Sequence, residues 1–271
     1  VGKVENKKEE RMDIKEYARQ VIAITGGELV SENRNGVELC GITKRKKGEW
    51  AGRIFWMNGF MEEEKTPEWT AGYITAVERK ATEPPFERID IENKEEAVKH
   101  LRARLRHVDN APEICRSAED YGFYDLVIEP YLLIRMKDRG FGAAQIKEGL
   151  LDIWKMSPKE VIDRAIANSE KDACIVPMSE QLGEMLDELW DMPRMMVVTT
   201  KQGFNGAVAA LFMDRQLKEY FGSGYTLFPS SIHEMIAVNR KGEGLEGIVK
   251  EVNEKEVSPL DRLSDHAYHM W

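Results

Sequence analysis

Three cysteines in 271 residues, Cys40, Cys115 and Cys174, are too few and too scattered for a disulfide framework, and no CxxC occurs to announce a zinc site. Unpaired thiols suit a reducing compartment. No apolar run approaches the roughly 20 residues that a membrane-spanning helix needs. The opening stretch, VGKVENKKEERMD, is charged and lacks the apolar centre of a secretory signal, so a cytoplasmic location is the expectation. Positive charge is short as well: 39 Lys and Arg stand against 48 Asp and Glu, a formal net charge of −9. Such a surface repels nucleic-acid phosphates and anionic membranes, which argues against both as partners. The basic run Lys44-Arg45-Lys46-Lys47 has no interleaved aromatics and reads as a solvated loop. There is no HExxH and no GxSxG elbow. The glycines around Phe141 and between Gly203 and Gly206 read as turns rather than phosphate cradles.

What is present is a foldable chain. An apolar share of 42% suffices for a core, and 32% charged residues give solubility. Residues 1–12 are mostly charged and are expected to be disordered. Residues 13–83 read as an N-terminal subdomain of helix, hairpin, strand and helix. Asp13 caps a helix over 14–24, and strands over 28–34 and 37–44 turn about Asn35-Gly36. A third strand covers 53–57, a tight segment follows at 58–60, and Thr66-Pro67 opens a helix to Lys80. Glu83-Pro84-Pro85 breaks the chain. Residues 90–271 read as a C-terminal α+β subdomain. Its pattern predicts a helix over 94–100 and a strand in YDLVIEPYLLI, with Pro130 arguing for an edge or a bulge. A short strand over 143–147 follows. Ser157 and Glu160 have capping-box spacing at the head of a helix to Asn168, and 179–190 looks helical. Residues 195–200 and 207–213 pair as a hairpin, Asp214 caps a helix to Phe221, and strands over 225–228 and 232–239 are interrupted at Pro229. A helix over 245–255 and a last strand over 267–271 complete the pattern. Helices and strands do not alternate as a doubly wound sheet requires. The expected fold is α+β, with mixed or antiparallel sheets, flanking helices and two packed subdomains.

The run from Met195 to Val238 carries the polar groups that stand out, above all Ser230-Ser231-Ile232-His233-Glu234. If 228–238 is one extended strand, Ser230, Ile232, Glu234 and Ile236 share a face, and Ser231 and His233 share the other. A carboxylate between two isoleucines needs a cationic or hydrogen-bonding partner, or it takes up a proton. Asn205, Ser230, Ser231, His233 and Glu234, with Asp265 and His266 nearer the C-terminus, are therefore the candidate binding residues. Two plainer readings compete: Glu234 pairs with a lysine or arginine and only orients the sheet, or a bulge at Pro229 turns it outward. Ser231, His233 and Asp265 are the residue types of a nucleophilic triad. Ser and His two apart on one strand lie about 7 Å apart, however, beyond a hydrogen bond. No metal and no cofactor is expected, since the His and carboxylate spacing lacks paired ligands. Cys40 reads as a core thiol.

The block GAVAALFMDRQLKEYFGSGYTLFPSSIHEMIAV, followed by VKEVN and LSDHAY, resembles the C-terminal part of a bacterial domain of unknown function, family 5688. NGVELCGITKR looks like that family's opening segment, and FYDLVIEPYLLI and LLDIWKMSPKEVIDRAIANS match its middle. The likeness spans about residues 13 to 271, and the piece WKMSPKEVIDRAIANS is also similar to a larger group, family 1444. The resemblance implies a shared fold and brings no activity, cofactor or catalytic residue with it. The leading expectation is a non-enzymatic cytoplasmic binding or interaction protein whose partner is a protein or a small polar ligand. Two alternatives stand beside it. One is an enzyme with hydrolase-like acid–base chemistry at the Ser-Ser-Ile-His-Glu segment, and the other is a structural scaffold without a ligand.

Overall fold

The structure is a computed structural model that describes residues 12–34, 37–44, 53–80, 86–137, 140–182, 195–222, 224–239 and 246–271. Residues 1–11, the Asn35-Gly36 turn, the basic loop from Arg45, the Glu83-Pro84-Pro85 break and most of the helix expected over 179–190 lie outside the described residues. The chain divides into two compact units, Val1–Pro84 and Pro85–Trp271.

In the first unit, helix α1 (Ile14–Thr25) starts where the Asp13 carboxylate accepts the Glu16 N–H and stops at Gly26, whose φ is 70°. Strands β1 (Glu28–Arg34), β2 (Val37–Lys44) and β3 (Arg53–Trp56) form an antiparallel sheet in that order. The third strand stops one residue earlier than its pattern predicts and passes into helix α2 (Met57–Glu62). Asn58 explains the change: its carboxamide accepts the Cys40 N–H and donates to the Glu38 carbonyl, so a side chain takes the place of the next ladder residue. Helix α3 (Pro67–Lys80) completes the unit, and Tyr17, Val21, Cys40, Ile42, Met57 and Ile74 form its core.

The second unit holds two antiparallel sheets. Helix α4 (Lys94–His100) leads into β4 (Leu101–His107), followed by β5 (Arg116–Ala118), β6 (Phe123–Arg135) and β7 (Phe141–Gln145). Strand β6 lies between β4 on one side and β5 and β7 on the other. Pro130 is therefore in the middle of the sheet, not at an edge. The register accounts for this. Opposite Pro130, the Ala103 N–H turns away from β6 and donates to Ser169 Oγ at 2.8 Å. By strand alternation the proline nitrogen then faces the other side, in the gap between Ile128, the last residue of β6 that pairs in step with β5, and Tyr131, the first to pair with β7. Strand β7 lies two residues earlier than expected.

Helices α5 (Glu148–Trp154) and α6 (Pro158–Glu170) follow. The Ser157–Glu160 capping box forms as its spacing predicts, and α6 packs on β4 and β6. Next come β8 (Ala173–Pro177), α7 (Met178–Leu182), β9 (Met195–Thr200), α8 (Asp214–Phe221), β10 (Tyr225–Ser231), β11 (Glu234–Val238), α9 (Glu246–Lys255) and β12 (Tyr268–Met270). Their strands make a second sheet in the order β12-β10-β11-β9-β8. Strand β9 does not pair with residues 207–213, as expected from sequence. Gly206–Leu211 is a 3-10 helix, buried throughout, that packs against β9, β11 and β4. GAVAAL is a run of small apolar residues with no period-two polarity, and a tight helical turn fits it between the layers. Asp214 is the first residue of α8 rather than its cap, because its carboxylate receives the Tyr225 hydroxyl and pairs with Lys218.

Candidate functional site

The Ser-Ser-Ile-His-Glu segment is a hairpin turn, not one strand. Ser231 pairs with Glu234, and Ile232-His233 is the connection. The ladder shifts by one between Pro229 and Ser231, which makes Ser230 the extra residue of a bulge. Neither turn residue takes a positive φ, so the hairpin lacks the left-handed geometry that tight turns favour. Outside partners hold it instead. Ile232 N–H donates to the Asp261 carbonyl at 2.7 Å, Ala207 N–H donates to the Ile232 carbonyl, and Thr199 Oγ1 donates to the His233 carbonyl at 2.9 Å. A Cβ on Gly206 would collide with Thr199 Oγ1, the His233 carbonyl and the Thr200 nitrogen, so only glycine fits beneath the turn.

Of the candidate residues, the fold joins Asn205, Ser231 and His233. Ser231 Oγ accepts the His233 N–H at 3.0 Å, and His233 Nδ1 accepts the Asn205 N–H at 3.0 Å. Asn205 reaches this position with a left-handed φ of 51°, and Phe204 beside it packs its ring 5.7 Å from the imidazole. Ser230 and Glu234 form a separate pair, Oγ to Oε1 at 3.5 Å. Glu234 is half-buried. Met235 and Ala237, on the opposite face of β11, are the fully buried residues. The single extended strand over 228–238 is thus corrected, the register shift beside Pro229 matches the competing bulge reading, and Glu234 shares its face of β11 with the half-buried Ile236 and the buried Val238. Asp265 and His266 are exposed and turn elsewhere, Asp265 to Asn253 Nδ2 and His266 to the Tyr124 ring. The carboxylate beside His233 is Asp261, 3.6 Å from Nε2 and too far for a hydrogen bond.

Strand β4 supplies groups that were not singled out from the sequence. In LRARLRH, Leu101, Ala103 and Leu105 are buried, and Arg102, Arg104 and Arg106 line the other face. Arg104 grips Glu129 with two bonds of 2.7 and 2.9 Å, and Arg106 pairs with the same carboxylate, which is 1% exposed. Arg102 binds Asp172 at 2.8 Å. Farther along β6, Asp125 accepts the Ser264 and Tyr268 hydroxyls, both at 2.6 Å, with His107 Nε2 at 3.6 Å. Burial, then the Asp125 bond, holds the Tyr268 phenol far above the ordinary tyrosine range, and burial with Asp214 does the same to Tyr225. Tyr131 is also pushed up by burial. Burial raises all three thiols, the reverse of what an attacking thiolate needs. The period-two arginines were the readable signal for this face, and Glu129 within an apolar run was its complement.

A cleft of about 10 Å³ opens between this face and the 200–205 loop, with Arg102, Tyr131, Asp172, Thr200, Phe204 and Asn205 among its walls. Thr200 Oγ1 is buried there without a hydrogen-bond partner among the described residues, and the Asn205 side chain is beside the Tyr131 hydroxyl, whose ionised form it favours. Among the described residues, no group of three or more His, Cys, Asp or Glu is placed to hold a metal, and no helix is long and apolar enough to cross a membrane.

Neither the curated proteins nor the solved structures contain a significant match to this chain. A family model described as a family of unknown function (DUF5688) matches residues 6–270, nearly the whole chain, and the chain belongs to that family.

Proposed function

We propose that this chain is a non-enzymatic, cytoplasmic bacterial binding protein that presents the Ile232-His233 turn and the adjoining Phe204 loop to a small polar ligand or a protein segment. The observation that carries the reading is the bond from the Asn205 N–H to His233 Nδ1. It occupies the Nδ1 lone pair and leaves Nε2 as the N–H donor of the ring. Ser231 Oγ is engaged by the His233 backbone N–H, Thr199 Oγ1 by the His233 carbonyl, and Asp261 stands off at 3.6 Å. A fixed donor beside the half-buried Phe204 ring is a recognition element. Three free thiols, all raised by burial, support a reducing setting.

The test is a pulldown and thermal-shift screen with the full chain and with His233→Ala and Phe204→Ala. Folded variants that lose a partner or ligand held by the parent chain support the reading. A ligand or partner retained by both variants, or turnover abolished by His233→Ala, contradicts it.

A further inference from the structure

We infer that the outer face of α3 is an interface between two copies of this chain, packed antiparallel along that helix. The inference concerns the first unit and is independent of the turn at His233. A surface helix needs one apolar face, and α3 carries two. Pro67, Thr70, Ala71 and Ile74 are buried in the unit. On the opposite side Trp69, Gly72, Tyr73 and Ala76 recur at the i, i+3, i+4, i+7 spacing of a second stripe, and all four are exposed. Trp69 is 49% exposed and Tyr73 45%. Their rings stack at 5.7 Å, Phe60 packs 5.6 Å from Tyr73, and Lys65 Nζ lies 4.9 Å from the Trp69 ring. These contacts hold two large aromatic side chains in one orientation, which lowers the ordering cost of docking. Beside them α1 and α3 leave a groove of about 640 Å³, with Ile24, Gly72 and Ala76 in its walls.

Gly72 agrees with this. Glycine is among the poorest residues for a helix interior. A Cβ at this position would meet nothing within 4 Å, so nothing among the described residues demands the missing side chain. The close approach of a second helix does demand it. Charge selects the occupant. Glu68 stands at one end of the groove, Arg79 and Lys80 at the other, and none of them has an ion-pair partner among the described residues. A parallel copy would set Glu68 against Glu68. An antiparallel copy brings Glu68 within reach of the copy's Arg79, and twofold symmetry repeats the match. The same register sets Tyr73 level with the copy's Ala76 and Trp69 level with the stem of its Lys80. A large ring thus meets a small side chain or a flexible stem at each layer, and the face is complementary to itself.

The experiment is sedimentation equilibrium of the full chain, from a few micromolar to a few hundred, in about 0.15 M salt, where the general repulsion between two acidic chains is screened. A mass rising from one chain to two is expected. Ala76→Arg puts a charge into the middle of the contact and Trp69→Ala removes a large side chain. Both positions are exposed, so the fold is kept, which circular dichroism checks. Each change should weaken association about tenfold or more. Glu68→Lys and Arg79→Glu should each weaken it, and the two together in one chain should recover it. The inference is overturned if the chain stays single throughout, if Ala76→Arg associates as the parent chain does, or if the double charge reversal recovers nothing that the single changes lose. A single chain that still binds a ligand through His233 and Phe204 would sink the interface and keep the reading of the turn. A dimer that Ala76→Arg dissolves, in a chain that binds nothing through that turn, would do the reverse.

Discussion

Glu129 and Glu234 each stand within an apolar run of sequence, one inside β6 and the other at the head of β11, and they meet opposite surroundings. Glu129 is directly opposite Arg104, is gripped by two guanidinium groups and is nearly sealed from water. Glu234 closes a hairpin, is half-buried and has the Ser230 hydroxyl at 3.5 Å as its polar partner among the described residues. The same residue in the same kind of run is an anchor in one sheet and a rim group in the other. What separates them is the cross-strand neighbour, and that is decided by register rather than by local sequence.

The comparison breaks or holds on measured stabilities. Glu129→Ala leaves two arginines without their carboxylate and should cost about 3–5 kcal/mol in urea unfolding. Replacing Glu129, Arg104 and Arg106 together by apolar residues of similar volume should recover most of that loss, which separates a desolvated charge from a packing defect. Tyr268→Phe probes the same closed region. It removes a bond to a carboxylate and should cost about 1.5–3 kcal/mol. It also carries a pH signature. The folded-state pKa of Tyr268 is raised, so its contribution is intact below the ordinary tyrosine value, about pH 10, and is lost as pH climbs beyond it, where the unfolded chain ionises first. Alkaline unfolding should therefore be shallower in Tyr268→Phe than in the parent chain.

On the open side, Gly206→Ala should cost about 1–3 kcal/mol by forcing Thr199 and the His233 carbonyl apart. Glu234→Ala should stay within about 0.5 kcal/mol. Were Glu129→Ala and Glu234→Ala to cost alike, the contrast between the two carboxylates would be wrong. Were Gly206→Ala harmless, the turn would not depend on the backbone clamps described above.

The α+β class, the capping box at Ser157 and the caps at Asp13 and Thr66 were legible because their causes lie within a few residues. DUF5688 membership was legible for a different reason, since its motifs are spread along the whole chain. The pairs that matter most at the site were not legible. Arg104 and Glu129 are 25 positions apart, and Asp125 and Tyr268 are 143 apart. The turn at Ile232-His233 was hidden because Pro229 is the visible breaker, while the actual reversal is held by Thr199, Ala207 and Asp261 from outside it. GAVAAL passed for a strand because a wholly buried 3-10 helix and a wholly buried strand both lack polar alternation. Asn205 was picked for its company in sequence, and it matters through its left-handed backbone and its N–H.

Ser169 has one further effect. By accepting the Ala103 N–H, it fills a donor that strand β4 would otherwise offer to any strand drifting past its outer side. A foreign chain seeking to extend the sheet there finds that rung already taken by a hydroxyl from the protein's own helix. The serine near the end of α6 thereby closes one position of the open edge that sheets otherwise offer for pairing.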